Sequence, residues 1–312
     1  MAILTLTQKD VLDLLPGVDV MQTVESMFGA LGRGEAVQPP QVQTLFPDNK
    51  GDYINYSGIW MSAGVYGLKT SPFIVQEKGY TVTAWTLLMS THTGEPLMLV
   101  DSSRLTLERT AATTAVAVKH LAKPDASRLA VIGSGAQALA HIRYASGLRP
   151  WQSIAVWSLN SHELTPEKRE AFEKAGARIV ATKAEALEDA DVILLCTSAA
   201  EPVIRKGDFT GTPLITSIST NAPGAHEIDP ALLPEMDVYC DCTATTATVA
   251  GEMKLAAAQY GWKPADVKGD LGGLVSGQAP VADYARPVFF RSIGQGLEDV
   301  AVAVALWEKA RR

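Results

Sequence analysis

The chain has no apolar run near the length of about eighteen residues that a membrane-spanning helix needs, although 47% of its 312 residues are hydrophobic. Its three cysteines cannot form a disulfide framework, which is typical of a reducing compartment. The formal net charge of −7 gives no basic stripe for nucleic acid. The first ten residues lack the basic leader and the small-residue cleavage site of a secretory signal. We therefore expect a cytoplasmic protein of two domains with no membrane or nucleic-acid partner.

The cysteines also give little sign of a metal centre. Cys240 and Cys242 lie two residues apart in a strand-like stretch, with no second pair and no histidine close by in sequence. Structural zinc sites combine four such ligands. We interpret the two thiols as packing residues on one face of a strand, and we expect no metal.

A glycine-rich turn is the most informative segment that is present. Residues 129–132 form a short apolar run that is followed by Gly133, Gly135 and Ala138, the G-x-G-x-x-A form of a dinucleotide-binding turn. Gly133 permits the tight turn, Gly135 lets the backbone approach a pyrophosphate, and Ala138 keeps the helix close to its strand. The N–H groups that open the helix would hold the phosphates. The predicted cofactor contacts here are Gly133, Ser134, Gly135, Ala136 and Gln137.

The hydrophobic pattern divides the chain into two modules. From residue 128 onward strands alternate with helices, at 129–132, 153–157, 177–180, 192–196, 214–218 and 238–240, which is typical of a Rossmann-type doubly wound parallel sheet. Before it, a helical pattern at 20–31 precedes strands at 53–61, 66–69, 81–89 and 97–100, which predicts an α+β module. A connecting helix at 105–121 and a final helix at 293–310 are also predicted. The fold class is therefore α/β, with 1–120 and 290–312 forming one domain and 121–289 the nucleotide-binding domain.

The end of the second strand bears on the choice between NAD and NADP. An NAD site usually carries an acidic residue there, which binds the ribose hydroxyls. This chain has Ser158 and Asn160 instead, and only His162 and Lys168 are near in sequence. We expect NADP or NAD, with a preference for NADP, contacted by Ser158 and Asn160. At the end of a later strand we expect Cys196, Thr197 and Ser198 to line the same crevice.

The chain resembles the ornithine cyclodeaminase/mu-crystallin family over nearly its whole length. The resemblance is carried by YGLK at 66–69, TGEPL at 93–97, LERTAA at 107–112, GSGAQ at 133–137, APG at 222–224 and FRSIG at 290–294. It implies an α+β domain for substrate binding and dimerisation, joined to the nucleotide-binding domain, with the active site between them. A homodimer is therefore expected.

Residue roles follow from the same resemblance. Lys69 looks like the lysine that holds the substrate carboxylate, and Arg109 like the arginine that reaches that pocket and the cofactor. A charge-assisted hydrogen bond to the carboxylate would fix the α-carbon towards the nicotinamide. Thr110 and Ser292 are expected at the cofactor. The competing interpretation is that Lys69 ends a surface strand and that Arg109 pairs with Glu108.

Two positions depart from the family pattern. Gln43 stands where many members carry an arginine that binds the substrate carboxylate, and glutamine brings no charge. Asn221 stands where cyclodeaminases have an aspartate for proton transfer, and an amide cannot act as acid or base near neutral pH. Both residues are nevertheless candidate substrate contacts, and Asn221 is a candidate catalytic residue that orients a substrate nitrogen.

These observations favour an NAD(P)H-dependent oxidoreductase that reduces a cyclic ketimine or an α-imino acid at the α-carbon, or that oxidises the amino acid in reverse. Ornithine cyclodeamination, with recycled NAD, is an alternative that Asn221 and Gln43 disfavour. A non-catalytic protein that binds NADP or another small molecule is a second alternative. The expected partner is a small imino or amino acid.

Overall fold

The computed structural model describes residues 3–219 and 224–312. The chain forms two compact units, Met1–Arg109 with Gly294–Arg312, and Thr110–Ile293. The sequence pattern placed these divisions near residues 120 and 290, whereas the first lies inside a helix. Within the described ranges, no helix is both long and apolar enough to cross a membrane.

Strands dominate the middle of the first unit, whereas strands and helices largely alternate in the second. The strands are β1 (Leu4–Leu6), β2 (Ala36–Val37), β3 (Val42–Leu45), β4 (Gly51–Trp60), β5 (Val65–Val75), β6 (Tyr80–Val82), β7 (Trp85–Ser90), β8 (Pro96–Asp101), β9 (Arg128–Ile132), β10 (Ser153–Trp157), β11 (Arg178–Ile179), β12 (Val192–Leu195), β13 (Leu214–Ser217), β14 (Asp237–Cys240), β15 (Val267–Asp270) and β16 (Val288–Arg291). The helices are α1 (Gln8–Leu14), α2 (Val20–Gly32), α3 (Ser103–Leu121), α4 (Ala136–Ser146), α5 (Pro166–Lys174), α6 (Lys183–Leu187), α7 (Thr246–Val249), α8 (Gly251–Gln259), α9 (Leu271–Ser276) and α10 (Gly296–Ala310).

The first unit is a mainly antiparallel sheet in the order β1-β8-β7-β5-β4-β2, with β3 beside β4 and β6 beside β5. Helix α10 packs on one face of β4 and β5. It approaches closely because two glycines leave room: a Cβ on Gly58 would lie 2.5 Å from the Cα of Leu297, and one on Gly67 would lie 2.9 Å from Val300. The first turn of α10 lies against the backbone of Tyr56, where Gly296 makes a similarly close approach.

The second unit is a parallel sheet in the order β11-β10-β9-β12-β13-β16-β14-β15. Numbered from β9, its first strands follow the order 3-2-1-4-5, which is that of a doubly wound nucleotide-binding sheet. The order reverses between β9 and β12, and ligands of such sheets bind at this point, beyond the carboxyl ends of the strands. The predicted fold class is confirmed. Strand β16, which the sequence pattern did not identify, lies between β13 and β14.

Three predicted elements differ from the structure. The strand expected at 66–69 runs on to Val75 as part of β5. The strand expected at 81–89 is two strands, β6 and β7, which pair with β5 on either side of Pro72. Proline has no N–H to donate to the ladder, and the carbonyl of Thr83 accepts the hydroxyl of Ser71 instead. The last helix begins at Gly296 rather than at residue 293. Gly294 has a φ of +78°, and Gln295 takes the N-cap position, so the helical conformation cannot extend further back.

Candidate active site

A cleft of about 550 Å³ lies at the switch point of the parallel sheet. Its lining comes from the segments that follow β9, β10 and β12, as the topology requires. It brings together every predicted cofactor residue except Thr110 and Ser292: Gly133, Ser134, Gly135, Ala136, Gln137, Ser158, Asn160, Cys196, Thr197 and Ser198. These residues belong to three separate stretches of the chain, and their roles as cofactor contacts stay predictions.

The two glycines of the turn differ in what surrounds them. Gly133 has a φ of +125°, and a Cβ there would lie 2.3 Å from the carbonyl oxygen of Cys196, so a side chain is excluded by both conformation and space. Gly135 is the N-cap of α4 and receives no side-chain cap. A Cβ at Gly135 would meet nothing within 4 Å. Open space before the uncapped first turn of a helix fits the pyrophosphate of a dinucleotide.

Thr110 and Ser292 lie outside the lining of this cleft. Thr110 is buried in α3. Ser292 follows β16 at the carboxyl edge of the sheet, and its hydroxyl donates to Oδ2 of Asp241 at 3.0 Å. Their predicted cofactor contacts therefore stay predictions.

A buried acid that the sequence analysis missed orders one wall of the cleft. Glu227 is completely buried, and its Oε1 accepts from the N–H and the hydroxyl of Thr197, both at 2.7 Å. Its Oε2 accepts from the hydroxyl of Ser217 at 2.7 Å and from the N–H of Ser219 at 2.8 Å. Glu227 thereby ties together the segments that follow β12 and β13. No local pattern marks this residue, because its partners are brought to it by the sheet topology.

The cysteines are buried, as packing residues would be. Cys240 ends β14, Cys242 follows two residues later, and burial raises the pKa of both thiols. Among the residues that the structure describes, no group of three or more His, Cys, Asp or Glu side chains could hold a metal ion.

Lys69 is buried in the middle of β5, with 2% of its surface exposed. Its Nζ lies 2.8 Å from Oδ2 of Asp299 and 4.1 Å from the ring centre of Tyr56. Lys69 and Tyr56 are paired across β5 and β4, and Asp299 comes from the first turn of α10. The interpretation of Lys69 as the end of a surface strand is therefore wrong.

Arg109 belongs to the same buried cluster. Its Nη1 lies 2.9 Å from Oε2 of Glu298, and its Nε lies 3.2 Å from Oδ1 of Asp299. Glu108 pairs with Arg104 at 2.8 Å, one turn back along α3. The competing interpretation, in which Arg109 pairs with a sequence neighbour such as Glu108, did not foresee its ion pairs with Glu298 and Asp299. The sequence analysis missed both carboxylates because they lie in a helix at the far end of the chain.

The environment of the cluster changes its ionisation. Burial lowers the pKa of Lys69 to about 8, although the carboxylate of Asp299 opposes this shift. Burial raises the pKa of Tyr56 to about 12. For Arg109 burial acts in the opposite direction from its two carboxylates, which together raise its pKa. At neutral pH the cluster therefore holds the cations of Lys69 and Arg109, paired with the carboxylates of Asp299 and Glu298, beside the protonated phenol of Tyr56.

The two residues that depart from the family pattern have different outcomes. Gln43 pairs with Ile54 in the β3–β4 ladder, and Tyr56 pairs with Lys69, so Gln43 lies on the same sheet face as Lys69. The Nε2 of Gln43 donates to Oδ2 of Asp52 at 3.1 Å. Asn221 lies outside the described residues.

Comparison with known proteins identifies relatives along the full length of the chain. An NAD(P)H-dependent anabolic L-arginine dehydrogenase, DauB of Pseudomonas aeruginosa, is 52% identical over 304 residues, which cover 97% of this chain and 96% of that protein. The iminosuccinate reductase of Paracoccus denitrificans is 28% identical over 313 residues, covering 99% and 97%.

Solved structures agree with this result. An archaeal alanine dehydrogenase dimer with bound NAD superposes with a TM-score of 0.89 at 26% identity, covering 100% of this chain and 97% of that one. The expected class, an NAD(P)-dependent oxidoreductase, is confirmed by these relatives. The model of the ornithine cyclodeaminase/mu-crystallin family matches residues 2–312, and the chain belongs to that family.

Proposed function

We propose that the chain interconverts a basic α-amino acid, in the first place L-arginine, and its α-imino acid. In the reductive direction the imino acid, a proton and NAD(P)H give the amino acid and NAD(P)+. The observation that carries the proposal is the buried Lys69 and Arg109 pair, which suits the carboxylate of such a substrate. The side chain is suggested by the L-arginine dehydrogenase relative at 52% identity.

The residues of the chain have separable roles in this proposal. Lys69 donates to the substrate carboxylate while Asp299 holds its ammonium group in place. Arg109 adds positive charge beside it and is oriented by Glu298. Asn221, which lies outside the described residues, is proposed to orient the substrate nitrogen through its amide. When bound, the nicotinamide supplies the hydride in the reductive direction and accepts it in reverse.

The test is the change in nicotinamide absorbance of the purified protein with NADPH or NADH, the 2-oxo acid of arginine and ammonia, beside ammonia release from ornithine with NAD. We expect oxidation of the reduced nucleotide and no ammonia from ornithine. Lys69→Met and Arg109→Met should each weaken binding of the imino acid while keeping nucleotide binding. Ammonia release from ornithine would instead support cyclodeamination. Nucleotide binding without turnover of any imino acid would support the non-catalytic alternative.

We further propose that NADP is preferred, because a groove at the end of β10 offers an arginine to its 2′-phosphate. This groove, of about 360 Å³, shares Trp157, Ser158 and Leu159 with the nucleotide cleft. Arg169 of α5 lines it, with Nη2 donating to the carbonyl of Ser161 at 2.5 Å. Its Nε donates to Leu164, and its Nη1 has no partner among the described residues. An arginine near this strand end is a known means of accommodating a 2′-phosphate.

Titration of the intrinsic nucleotide fluorescence tests this preference without turnover. Arg169→Gln should weaken NADPH binding about tenfold or more, because a charged hydrogen bond is lost, and leave NADH binding unchanged. Lys168→Gln removes a neighbouring exposed cation and serves as the control. If Arg169→Gln weakens the binding of NADPH and NADH equally, the arginine only supports the loop that follows β10.

The proposed homodimer uses the sheet face of the first unit opposite α10. This apolar face consists of half-exposed and exposed side chains that adjoin one another across β4, β5, β7 and β8: Ile59, Tyr66, Leu68, Leu87, Met89 and Leu99. Tyr66 and Leu68 are 38% and 40% exposed. A contiguous apolar face of this kind is typical of an interface, and the archaeal alanine dehydrogenase relative is described as a dimer. We also propose a cytoplasmic location, since all three cysteines are unpaired.

A further inference from the structure

We infer that Asp52 binds the cationic side chain of the substrate and selects a guanidinium group. This inference rests on the proposed function, because it assumes that the substrate carboxylate binds at Lys69. It concerns one sheet face of the first unit, and it gives Gln43 a role different from that of the arginine found in many relatives.

The register of three strands places the relevant side chains in rows on that face. Tyr56 and Lys69 form the first row, Ile54 and Ser71 the second, and Asp52 and Phe73 the third. Gln43 adjoins the second row from β3. Because side chains two residues apart point to the same side of a strand, all of these share the face that carries Lys69.

Helix α10 covers this face only in part. Its first turn meets the backbone at Tyr56, and its later residues pack over Gly58 and Gly67, in the direction away from Asp52. Tyr56 and Lys69 are therefore buried, whereas Ile54, Ser71 and the third row are half-buried. A ligand whose carboxylate is held at Lys69 can extend along this ledge, which we define by Gln43, Asp52, Ile54, Ser71 and Phe73.

The length of the ledge fits an arginine side chain. Asp52 and Tyr56 are four residue steps apart along β4, which puts their Cα atoms about 13 Å apart. An extended arginine spans about 7 Å from its carboxylate to its guanidinium carbon. With a hydrogen bond of about 2.8 Å at each end, it reaches from Lys69 to Asp52. Its methylene groups would lie over Ile54, and the guanidinium could also contact the Phe73 ring, a contact that arginine-type cations favour.

The carboxylate of Asp52 is oriented and available. Gln43 donates its amide to Oδ2 of Asp52, and Oδ1 has no partner among the residues that the structure describes. No lysine or arginine in the described ranges pairs with Asp52. The charge of Asp52 also acts on the first row. The pKa of Tyr56 is raised mainly by burial and by Asp299, and Asp52 raises it further. An arginine at position 43 would repel a basic substrate side chain, and Gln43 does not. Its amide instead donates a hydrogen bond that positions the carboxylate of Asp52.

Calorimetric titration of the full chain, saturated with NADPH, tests the inference without hydride transfer. L-Citrulline is the probe for charge, since its uncharged ureido group has nearly the shape of the guanidinium group of L-arginine. We expect the unmodified protein to bind L-arginine at least about tenfold more tightly than L-citrulline, as expected for a charge-assisted pair. Asp52→Asn should weaken the binding of L-arginine and leave that of L-citrulline unchanged, so that the two affinities lie within about threefold of each other.

Two further variants make the result specific. Asp48→Asn removes an exposed charge from the turn before β4 and should keep the full preference for L-arginine. Gln43→Leu keeps the charge of Asp52 but removes its donor, so the preference should fall by less than in Asp52→Asn. The inference is overturned if Asp52→Asn still prefers L-arginine to L-citrulline, or if it weakens the binding of both ligands equally. It is also overturned if the unmodified protein does not bind L-arginine. Failure of the proposed function appears separately, as L-arginine binding without hydride transfer.

Discussion

At the scale of single residues, the buried lysine shows how charge can be kept inside the protein for use. Removing an ammonium group from water is costly, and Asp299 and the face of Tyr56 offset that cost for Lys69. The offset is incomplete, since the pKa of Lys69 falls to about 8 from an ordinary value of 10.5. In the proposed function, the substrate carboxylate is an additional partner for this charge.

The pKa of Lys69 predicts how substrate binding depends on pH. Below pH 8 the ammonium group of Lys69 is charged and, in the proposed function, pairs with the substrate carboxylate. KM for the imino acid should therefore rise as pH increases through about 8. Because folding depresses this pKa, the stability cost of burying Lys69 applies below pH 8 and lessens between pH 8 and 10.5. Titration of Lys69 alone should therefore not unfold the protein at alkaline pH. Steady-state kinetics against pH measure the effect, and a flat KM profile would contradict it.

The two turn glycines give a second prediction at this scale. Gly133→Ala should lower the free energy of unfolding by about 1 to 3 kcal/mol, because the residue has a positive φ and its new Cβ meets the carbonyl of Cys196. Gly135→Ala should leave that free energy nearly unchanged but weaken NADPH binding, since its Cβ enters the space assigned to the pyrophosphate. Urea unfolding and fluorescence titration separate the two effects. Tight NADPH binding by Gly135→Ala would contradict the assignment.

At the scale of elements, buried acids connect the carboxyl ends of neighbouring parallel strands. Glu227 accepts hydrogen bonds from the segments after β12 and β13, and Asp241 accepts them from Cys242 and from Ser292 and Ile293 after β16. Backbone and hydroxyl donors that leave a strand ladder need such acceptors when buried. The edge of the sheet is thus held in the shape that lines the cleft.

Glu227→Gln tests this function of a buried acid. An amide presents donors towards N–H and hydroxyl groups that also donate, so we expect the free energy of unfolding to fall by about 2 to 3 kcal/mol. NADPH binding should weaken as well, because Thr197 lines the cleft. Glu201→Gln, the same change at an exposed position, is the control for urea unfolding. Equal stability of the two variants would show that the four hydrogen bonds contribute little.

At the scale of the whole molecule, the apolar face of the first unit is the feature that points to a partner. Its side chains adjoin one another across four strands, opposite the face that α10 covers. When helices cover only one face of a sheet and the other face is apolar, that second face needs a further partner to cover it. The proposed partner is a second copy of the chain.

Leu68→Glu tests that partner. Burying an unpaired charge in an interface is costly, so the variant should shift from a mass of two chains towards the 33.3 kDa of one chain. Leu12→Glu, at an exposed position on α1, should not change the mass. Light scattering coupled to gel filtration measures both. A single-chain mass for the unmodified protein would contradict the proposal.

The sequence pattern was most informative where local chemistry decides the structure. The glycine turn, the alternating strands and the helix at 20–31 follow from backbone sterics and hydrophobic periodicity within short stretches. It was least informative for β1, β15 and β16, whose few residues become strands only through their neighbours in the sheet. The break between β6 and β7 likewise depends on Ser71 and Pro72 of the neighbouring strand β5.

By itself, the sequence determined the nucleotide turn, the parallel sheet and the family, because each of these depends on residues within one short stretch or on motifs read in order. It also singled out Lys69 and Arg109. Only the tertiary structure decided that both are buried, and that they pair with Asp299 and Glu298 rather than with sequence neighbours. It alone placed Gln43 and Asp52 on the sheet face of Lys69. Partners of a buried charge are chosen by packing between distant segments, and no local pattern encodes that choice.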